Sequence, residues 1–279
     1  MTERVLIIGG GGMLARAFSE ELKKRGTAFR SIDVPEIDLR DAASIERAVQ
    51  KGDTLVLNCA AWTDVDGAEA REAEASAVNG HGVGLLVARC KQVGALLVHY
   101  STDYVFDGNA STPYPVDHPR SPVNAYGRGK LIGEELLEAS GAEYLLIRTS
   151  WLYAPWGKNF VLTMRGLLAS KTEVNVVNDQ VGRPTSAQYL AERTLALVQH
   201  KARGTFHVTN GGQCSWYELT AAIASHEHSK CKVSPVTSAE FVRPAKRPAY
   251  SVFDLSKTDA LIGPSLDWHE SLFAVLRQL

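Results

Sequence analysis

Val5-Leu6-Ile7-Ile8-Gly9-Gly10-Gly11-Gly12-Met13-Leu14-Ala15 is the stretch on which the fold turns. Four branched apolar residues without polar alternation read as a parallel strand covered on both faces. Four glycines then give a tight turn, and Leu14–Arg25 beyond them reads as a helix. Gly9, Gly12 and Ala15 fit a G-x-x-G-x-x-A frame. Small residues there let backbone approach a pyrophosphate, while the helix N-terminus offers free N–H groups at the positive end of its dipole. Strand, glycine turn and helix in this order predict a dinucleotide site at Gly9, Gly12, Met13 and Leu14.

Working outward, Arg4–Ile8, Ala28–Ile32, Thr54–Leu57, Leu96–Tyr100 and Tyr144–Ile147 are short runs rich in Val, Ile and Leu. Helical stretches separate them: Leu14–Arg25, Ala43–Lys51, Glu69–Val93 and Ala125–Ala139. The alternation predicts an α/β fold, a doubly wound parallel sheet of Rossmann-like type with right-handed crossovers. After residue 150 prolines become frequent and strands isolated. Glu173–Val177 and Thr205–Val208 read as strands; Phe160–Ala169, Ala187–Gln199 and Trp216–Ser225 read as helices. We expect residues 1–150 to form the dinucleotide-binding domain. Residues 151–279 are expected to form mainly a smaller C-terminal substrate-binding lobe, with some elements returning to the main sheet.

The totals exclude several classes. The 279 residues carry 30 Lys+Arg against 31 Asp+Glu, so the basic footprint of a nucleic-acid binder is missing. Met1-Thr2-Glu3-Arg4 runs straight into the first strand with no secretory pattern, and no apolar run is long enough to cross a bilayer. Cys59, Cys90, Cys214 and Cys231 are scattered, without metal-ligand spacing, and read as reduced thiols. A cytoplasmic protein without nucleic-acid or membrane partners and without a metal site is expected.

Two further groups carry chemistry. Asp33 ends the second strand, where a carboxylate receives hydrogen bonds from an adenosine ribose. It favours NADH, whereas Arg30 beside it suits the phosphate of NADPH, so both cofactors stay open. Tyr126-Gly127-Arg128-Gly129-Lys130 sets a phenol and an ammonium four residues apart on one helix face. A nearby cation favours phenolate and lowers the phenol pKa towards working pH. Thr102 follows the fourth strand, at the sheet edge where open α/β folds bind ligands. His99 reads as a satisfied core histidine, and Trp216 and Trp268 read as packing residues.

These groups together are similar to the extended short-chain dehydrogenase/reductase superfamily. The text between them resembles the dTDP-4-dehydrorhamnose reductase family over essentially the whole chain. The resembling segments are Asn58–Asp66, Ser101–Gly108, Tyr126–Leu131, Arg148–Tyr153, Gly157–Phe160, Asp179–Thr185, Ser215–Glu218 and Arg247–Ser251. The resemblance implies NAD(P)H-dependent reduction of the C4 ketone of dTDP-4-dehydro-β-L-rhamnose to dTDP-β-L-rhamnose. It implies catalysis by Thr102, Tyr126 and Lys130, and cofactor contacts also from Asp38, Leu39, Ala60, Ala61 and Thr63. Substrate contacts are implied for Thr102, Asp103, Phe106, Trp151, Asn159, Gln180, Arg183 and Arg247. A homodimer is the implied assembly.

Cys59, Trp62 and Asp64 depart from the family's common Ala, Tyr and Ala, and Asp64 adds charge near the expected nicotinamide loop. Some members hold magnesium at a dimer interface through a glutamate where this chain has Ala17, which argues against metal dependence. Other readings are a reductase or epimerase of another nucleotide sugar, or a non-catalytic nucleotide-binding subunit like the regulatory subunit of methionine adenosyltransferase. The intact Thr102, Tyr126 and Lys130 set weighs against the latter.

Overall fold

The computed structural model describes residues 4–279; Met1–Glu3, on which the reading of the amino terminus rests, lie outside the described residues. Six strands form the central sheet: Val5–Ile8, Phe29–Ile32, Leu55–Asn58, Leu96–Thr102, Tyr144–Thr149 and Gly204–His207. Counted along the chain, they lie in the order 6-5-4-3-1-2, and every pair is parallel. The chain reverses direction across the sheet between the first and third strands, and such a switch point opens a ligand crevice at the carboxyl ends.

The strands alternate between two buried cores, which explains their uninterrupted apolar text. Val5, Ile7, Leu57, Val98 and Ile147 face the helices Met13–Lys24 and Ala187–Gln199, meeting Leu14, Phe18 and Leu190. Leu6, Ile8, Val56, Leu97 and Leu146 face the other side, where Ile45, Leu86 and Leu137 come from helices Ala42–Ala48, Gly82–Val93 and Ala125–Ala139. A third core gathers Tyr153, Val161, Leu219, Trp268 and Leu272 beneath helices Phe160–Ser170, Trp216–His226 and Trp268–Leu276. A parallel pair, Glu173–Val177 with Lys232–Val236, borders it. Among the described residues no helix is long and apolar enough to cross a membrane.

One expected helix is broken. Glu69–Val93 divides into Val65–Ala70, Glu72–Ser76, a π turn at Ala77–His81, and Gly82–Val93. The π turn aims Asn79 at the loop after the third strand, where its amide accepts from Trp62 N–H and donates to the Trp62 carbonyl. A wide turn inside a helix often marks such a functional contact.

Candidate active site

Every sheet strand from the first to the fifth delivers a candidate residue to one edge, around a cleft of about 900 Å³. Gly9 follows the first strand with φ +84°, and a Cβ there would meet Ala60 N at 2.7 Å. Only glycine fits, so the turn lies directly against the loop after the third strand. The helix beginning at Met13 has no side-chain cap. Its first N–H groups therefore remain available to an anion, the donor set a pyrophosphate needs. Asp33, after the second strand, accepts from Gly11 N–H at 2.7 Å through Oδ2 and from Val34 N–H at 2.8 Å through Oδ1. The cleft is lined by Gly9, Gly12, Met13, Leu14, Asp33, Asp38, Leu39, Ala60, Ala61 and Thr63. These are the ten expected cofactor contacts other than Tyr126 and Lys130. Asp38 is held at about 2 by its bonds from Arg40.

Thr102, Asp103, Tyr126, Lys130 and Trp151 line the same cleft. Asn124 caps the helix Ala125–Ala139 by accepting Gly127 N–H, which starts the helix one residue before Tyr126. Tyr126 meets Tyr104 edge-on, with centroids 5.8 Å apart. Lys130 is buried and donates to the Tyr100 carbonyl at 3.0 Å. Burial lowers its pKa to about 8, against the pull of Glu134. Thr102 Oγ1 donates to Asp103 Oδ1 at 3.0 Å, and burial raises the Asp103 carboxyl to about 6.

The phenol behaves contrary to expectation. Burial pushes the Tyr126 pKa above its ordinary value, Asp103 pushes the same way, and only the Thr102 hydroxyl opposes them. Lys130 does not lower it, because its ammonium points at a strand carbonyl and desolvation of a buried phenol dominates. The result is a phenol that carries its proton at neutral pH, as a proton donor must.

Other readings are corrected by where side chains go. Arg30 turns away from the cleft to Asp53, at 2.8 Å, and the Ala48 carbonyl. Asp64 spends its carboxylate capping the next helix through Gly67 N–H. His99 is only half satisfied: Asn58 Nδ2 donates to its Nδ1 at 3.1 Å while Nε2 lacks a partner. Phe106 is fully buried, stacked on Tyr114 at 4.5 Å, because the 3₁₀ turn Asp103–Val105 swings it into a core with Phe253.

Asn159, Gln180, Arg183 and Arg247 are not among the residues that line the cleft. Asn159 caps helix Phe160–Ser170 and donates to the Ala154 and Trp156 carbonyls. Gln180 accepts from Trp216 Nε1 at 3.2 Å and donates to Ser238. Arg183 is half-buried with an unpartnered Nε, and Arg247 is paired with Asp66 at 2.9 Å.

Trp216 is a lining residue that sequence reasoning missed. Its ring stacks on Trp151, centroids 3.5 Å apart and planes 8° apart, and both indoles face the cleft. Trp151 holds a left-handed backbone, φ 48°, a strained state that clusters at functional sites. Gly182 packs beneath it, since a Cβ there would strike the indole at 2.6 Å. Trp156 also reaches the cleft, donating from Nε1 to the Met13 carbonyl, with Arg16 over its ring at 4.2 Å. No sequence spacing signals these contacts.

A glycine-turn cradle, a strand-end hydroxyl and a helical Tyr/Lys pair at one sheet edge define a nicotinamide-dependent reductase of the short-chain type. Comparison with known proteins narrows the class. A family model described as RmlD substrate binding domain matches residues 3–279. A dTDP-4-dehydrorhamnose reductase of Mycobacterium tuberculosis is 40% identical over 288 residues, covering 99% of this chain and 93% of that protein. A dTDP-4-keto-6-deoxy-D-glucose reductase of Streptomyces niveus is 39% identical, covering 90% and 88%. The crystal structure of dTDP-4-dehydrorhamnose reductase from Bacillus anthracis, in complex with NADP, superimposes with TM-score 0.96 at 35% identity, covering 100% of both chains. The chain belongs to the dTDP-4-dehydrorhamnose reductase family.

Proposed function

We propose that the protein reduces the C4 ketone of dTDP-4-dehydro-β-L-rhamnose to dTDP-β-L-rhamnose with NADPH or NADH. The observation that carries this reading is the meeting of Thr102, Tyr126 and Lys130 at the cleft that the glycine turn floors. The uncapped helix N-terminus, the Gly9–Ala60 approach and Asp33 suit a dinucleotide. The cofactor supplies the hydride. Thr102 bonds the ketone oxygen and Tyr126, protonated at neutral pH, gives that oxygen its proton. Lys130, whose ammonium donates to the Tyr100 carbonyl beside the cleft, holds the nicotinamide ribose. Trp151 and Trp216 form an apolar wall for the deoxysugar, while Arg183 and Arg247 are assigned to the diphosphate because guanidinium suits phosphate oxygens.

In this proposal residues 1–150 serve the cofactor, residues 151–279 serve mainly the substrate, and the enzyme is a cytoplasmic homodimer. The test is loss of reduced-nicotinamide absorbance with dTDP-4-dehydro-L-rhamnose, and a product heavier than substrate by two hydrogens. No oxidation with either cofactor would defeat the reading. The Streptomyces niveus relative favours a second reading, reduction of another dTDP-4-keto-6-deoxysugar. Comparing kcat/KM for the two ketosugars separates them.

A further inference from the structure

Behind the cleft, on the far side of Lys130, lies a charged cluster to which the reaction assigns no role. Tyr126, Lys130 and Glu134 stand at successive turns of helix Ala125–Ala139, along one face. Glu134 is fully buried. Its carboxylate accepts from Arg148 at 2.9 Å through Oε1 and 2.8 Å through Oε2, and from Arg120 at 2.8 Å. Arg120 also reaches Glu138 on the surface side. Burying an ion is costly unless partners compensate it. Here Lys130 and Arg148 are both buried cations, and Glu134, one turn beyond Lys130 and paired with Arg148, is a buried anion.

The charged groups on the elements packed against this helix can be named: helices Val65–Ala70 and Glu72–Ser76 bring Glu69, which accepts from Ala125 N–H, and Glu72, which is paired with Arg128, so both are engaged away from Lys130. The fourth strand presents neutral His99, whose pKa burial and Lys130 both lower, with the Tyr100 carbonyl, Ser101 and, at its end, Asp103. The fifth strand presents Arg148, already engaged by Glu134. The π turn packed on the helix brings Asn79 and Gly80, neither charged. Tyr126 lies one turn earlier. Glu134 is therefore the carboxylate that opposes desolvation of the ammonium, and the direction of its influence on Lys130 agrees.

We infer that Glu134 is a positioning residue of the reaction: from the turn after Lys130 it keeps charged the buried ammonium that donates to the Tyr100 carbonyl, one turn from Tyr126. The catalytic consequence rests on the proposed reduction. The electrostatic relation does not, and the experiment separates the two.

The measurement is an NMR titration of the Lys130 side chain in lysine-labelled full-length protein, assigned by loss of its signal in Lys130→Met. Glu134→Gln should move the Lys130 midpoint down by about one unit or more, the usual effect of losing a close opposite charge. Glu134→Asp, which retains the charge, should restore most of it. Arg120→Met removes one of the cations that neutralise Glu134, so the midpoint should rise, by a few tenths of a unit or roughly that order. Opposite signs are what a structural role cannot produce. Arg120 is partly exposed, so this variant remains informative if Glu134→Gln does not fold. A Lys130 midpoint unmoved or lowered in Arg120→Met, or unmoved in Glu134→Gln, overturns the inference. The alkaline limb of kcat should follow the same midpoints. A limb that stays put while the NMR midpoint moves tells against Lys130 in the reaction and leaves the Glu134 relation standing.

Discussion

Arg247 and Asp66 join parts of the chain 181 residues apart: Arg247 Nη1 donates to Asp66 Oδ1 at 2.9 Å. Arg243 and the Ala245 N–H converge on the same carboxylate. Asp66 thus fastens residues 243–247 to the short helix beside the cleft, and both partners of the pair are about four-fifths buried.

This fastening has a pH signature. Burial alone would raise the Asp66 pKa, but the bonds from Arg247 and Arg243 outweigh it and hold the carboxyl at about 2. A depressed folded pKa stabilises the protein above the unfolded value and loses that contribution as pH falls through the folded one. Asp66→Asn should therefore cost on the order of 2 kcal/mol in urea unfolding above about pH 4. The gap between wild type and variant should close towards pH 2. A constant gap across this range would show that the pair contributes no charge-dependent stability.

Asp103 has the opposite sign. Its buried carboxyl is raised to about 6 from 3.8. Stability from the protonated form is present below about pH 4 and is lost as pH rises through 6. Asp103→Asn should gain on wild type across that window, by roughly 2–3 kcal/mol at neutral pH. Equal unfolding free energies at pH 4 and pH 8 in the two proteins would contradict the raised value.

Tyr126→Phe should bind NADPH with unchanged Kd and lose about 10²–10⁴-fold in kcat, the usual worth of a positioned acid. Undiminished turnover removes Tyr126 from its role. Because burial raises the phenol rather than lowering it, wild-type kcat should not fall at neutral pH through ionisation of Tyr126.

Arg183 and Arg247 differ in what they give up on meeting a diphosphate. Among the described residues Arg183 has an unpartnered Nε and no carboxylate bound, whereas Arg247 is held by Asp66. Arg183→Ala should lower kcat/KM by about 10- to 150-fold, the loss of a charged hydrogen bond of about 1.5–3 kcal/mol, with the Kd for NADPH unchanged. Arg247→Ala should cost less at the diphosphate and more in folding stability. Wild-type kcat/KM in both variants would take the arginines off the substrate, and a fall in NADPH affinity would move them to the cofactor.

Metal should be dispensable. Ala17 is buried against the first core, where a family glutamate would otherwise be needed. Activity and sedimentation of the proposed dimer should be unchanged by EDTA. A dimer that dissociates in EDTA and reforms with magnesium would refute this.

Much of the cofactor half was legible because its physics is local. Buried parallel strands write themselves as unbroken apolar runs, and the helical stretch that carries Tyr126 and Lys130 was placed at its true ends, Ala125–Ala139. The second half was less legible. Strand Lys232–Val236 contains Pro235 and is only partly buried, and helices Ser256–Ile262 and Trp268–Leu276 follow a proline-rich stretch that hides their start. Side-chain direction was legible least of all. Arg30 is drawn off by Asp53, Phe106 by Tyr114, and the Trp151–Trp216 wall depends on a left-handed tryptophan that no propensity would suggest.

The sixth strand of the sheet, Gly204–His207, comes from beyond the cleft yet lies along Tyr144–Thr149 and sets His207 Nε2 3.3 Å from Arg148 Nη1. A fragment ended at residue 150 would bare an unpaired edge of Leu145 and Ile147, a template for aggregation. Chimeras that exchange residues 151–279 between relatives therefore have to carry residues 204–207 with the recipient's own sheet. The proposed boundary between the cofactor and substrate halves is not one at which the polypeptide can be cut.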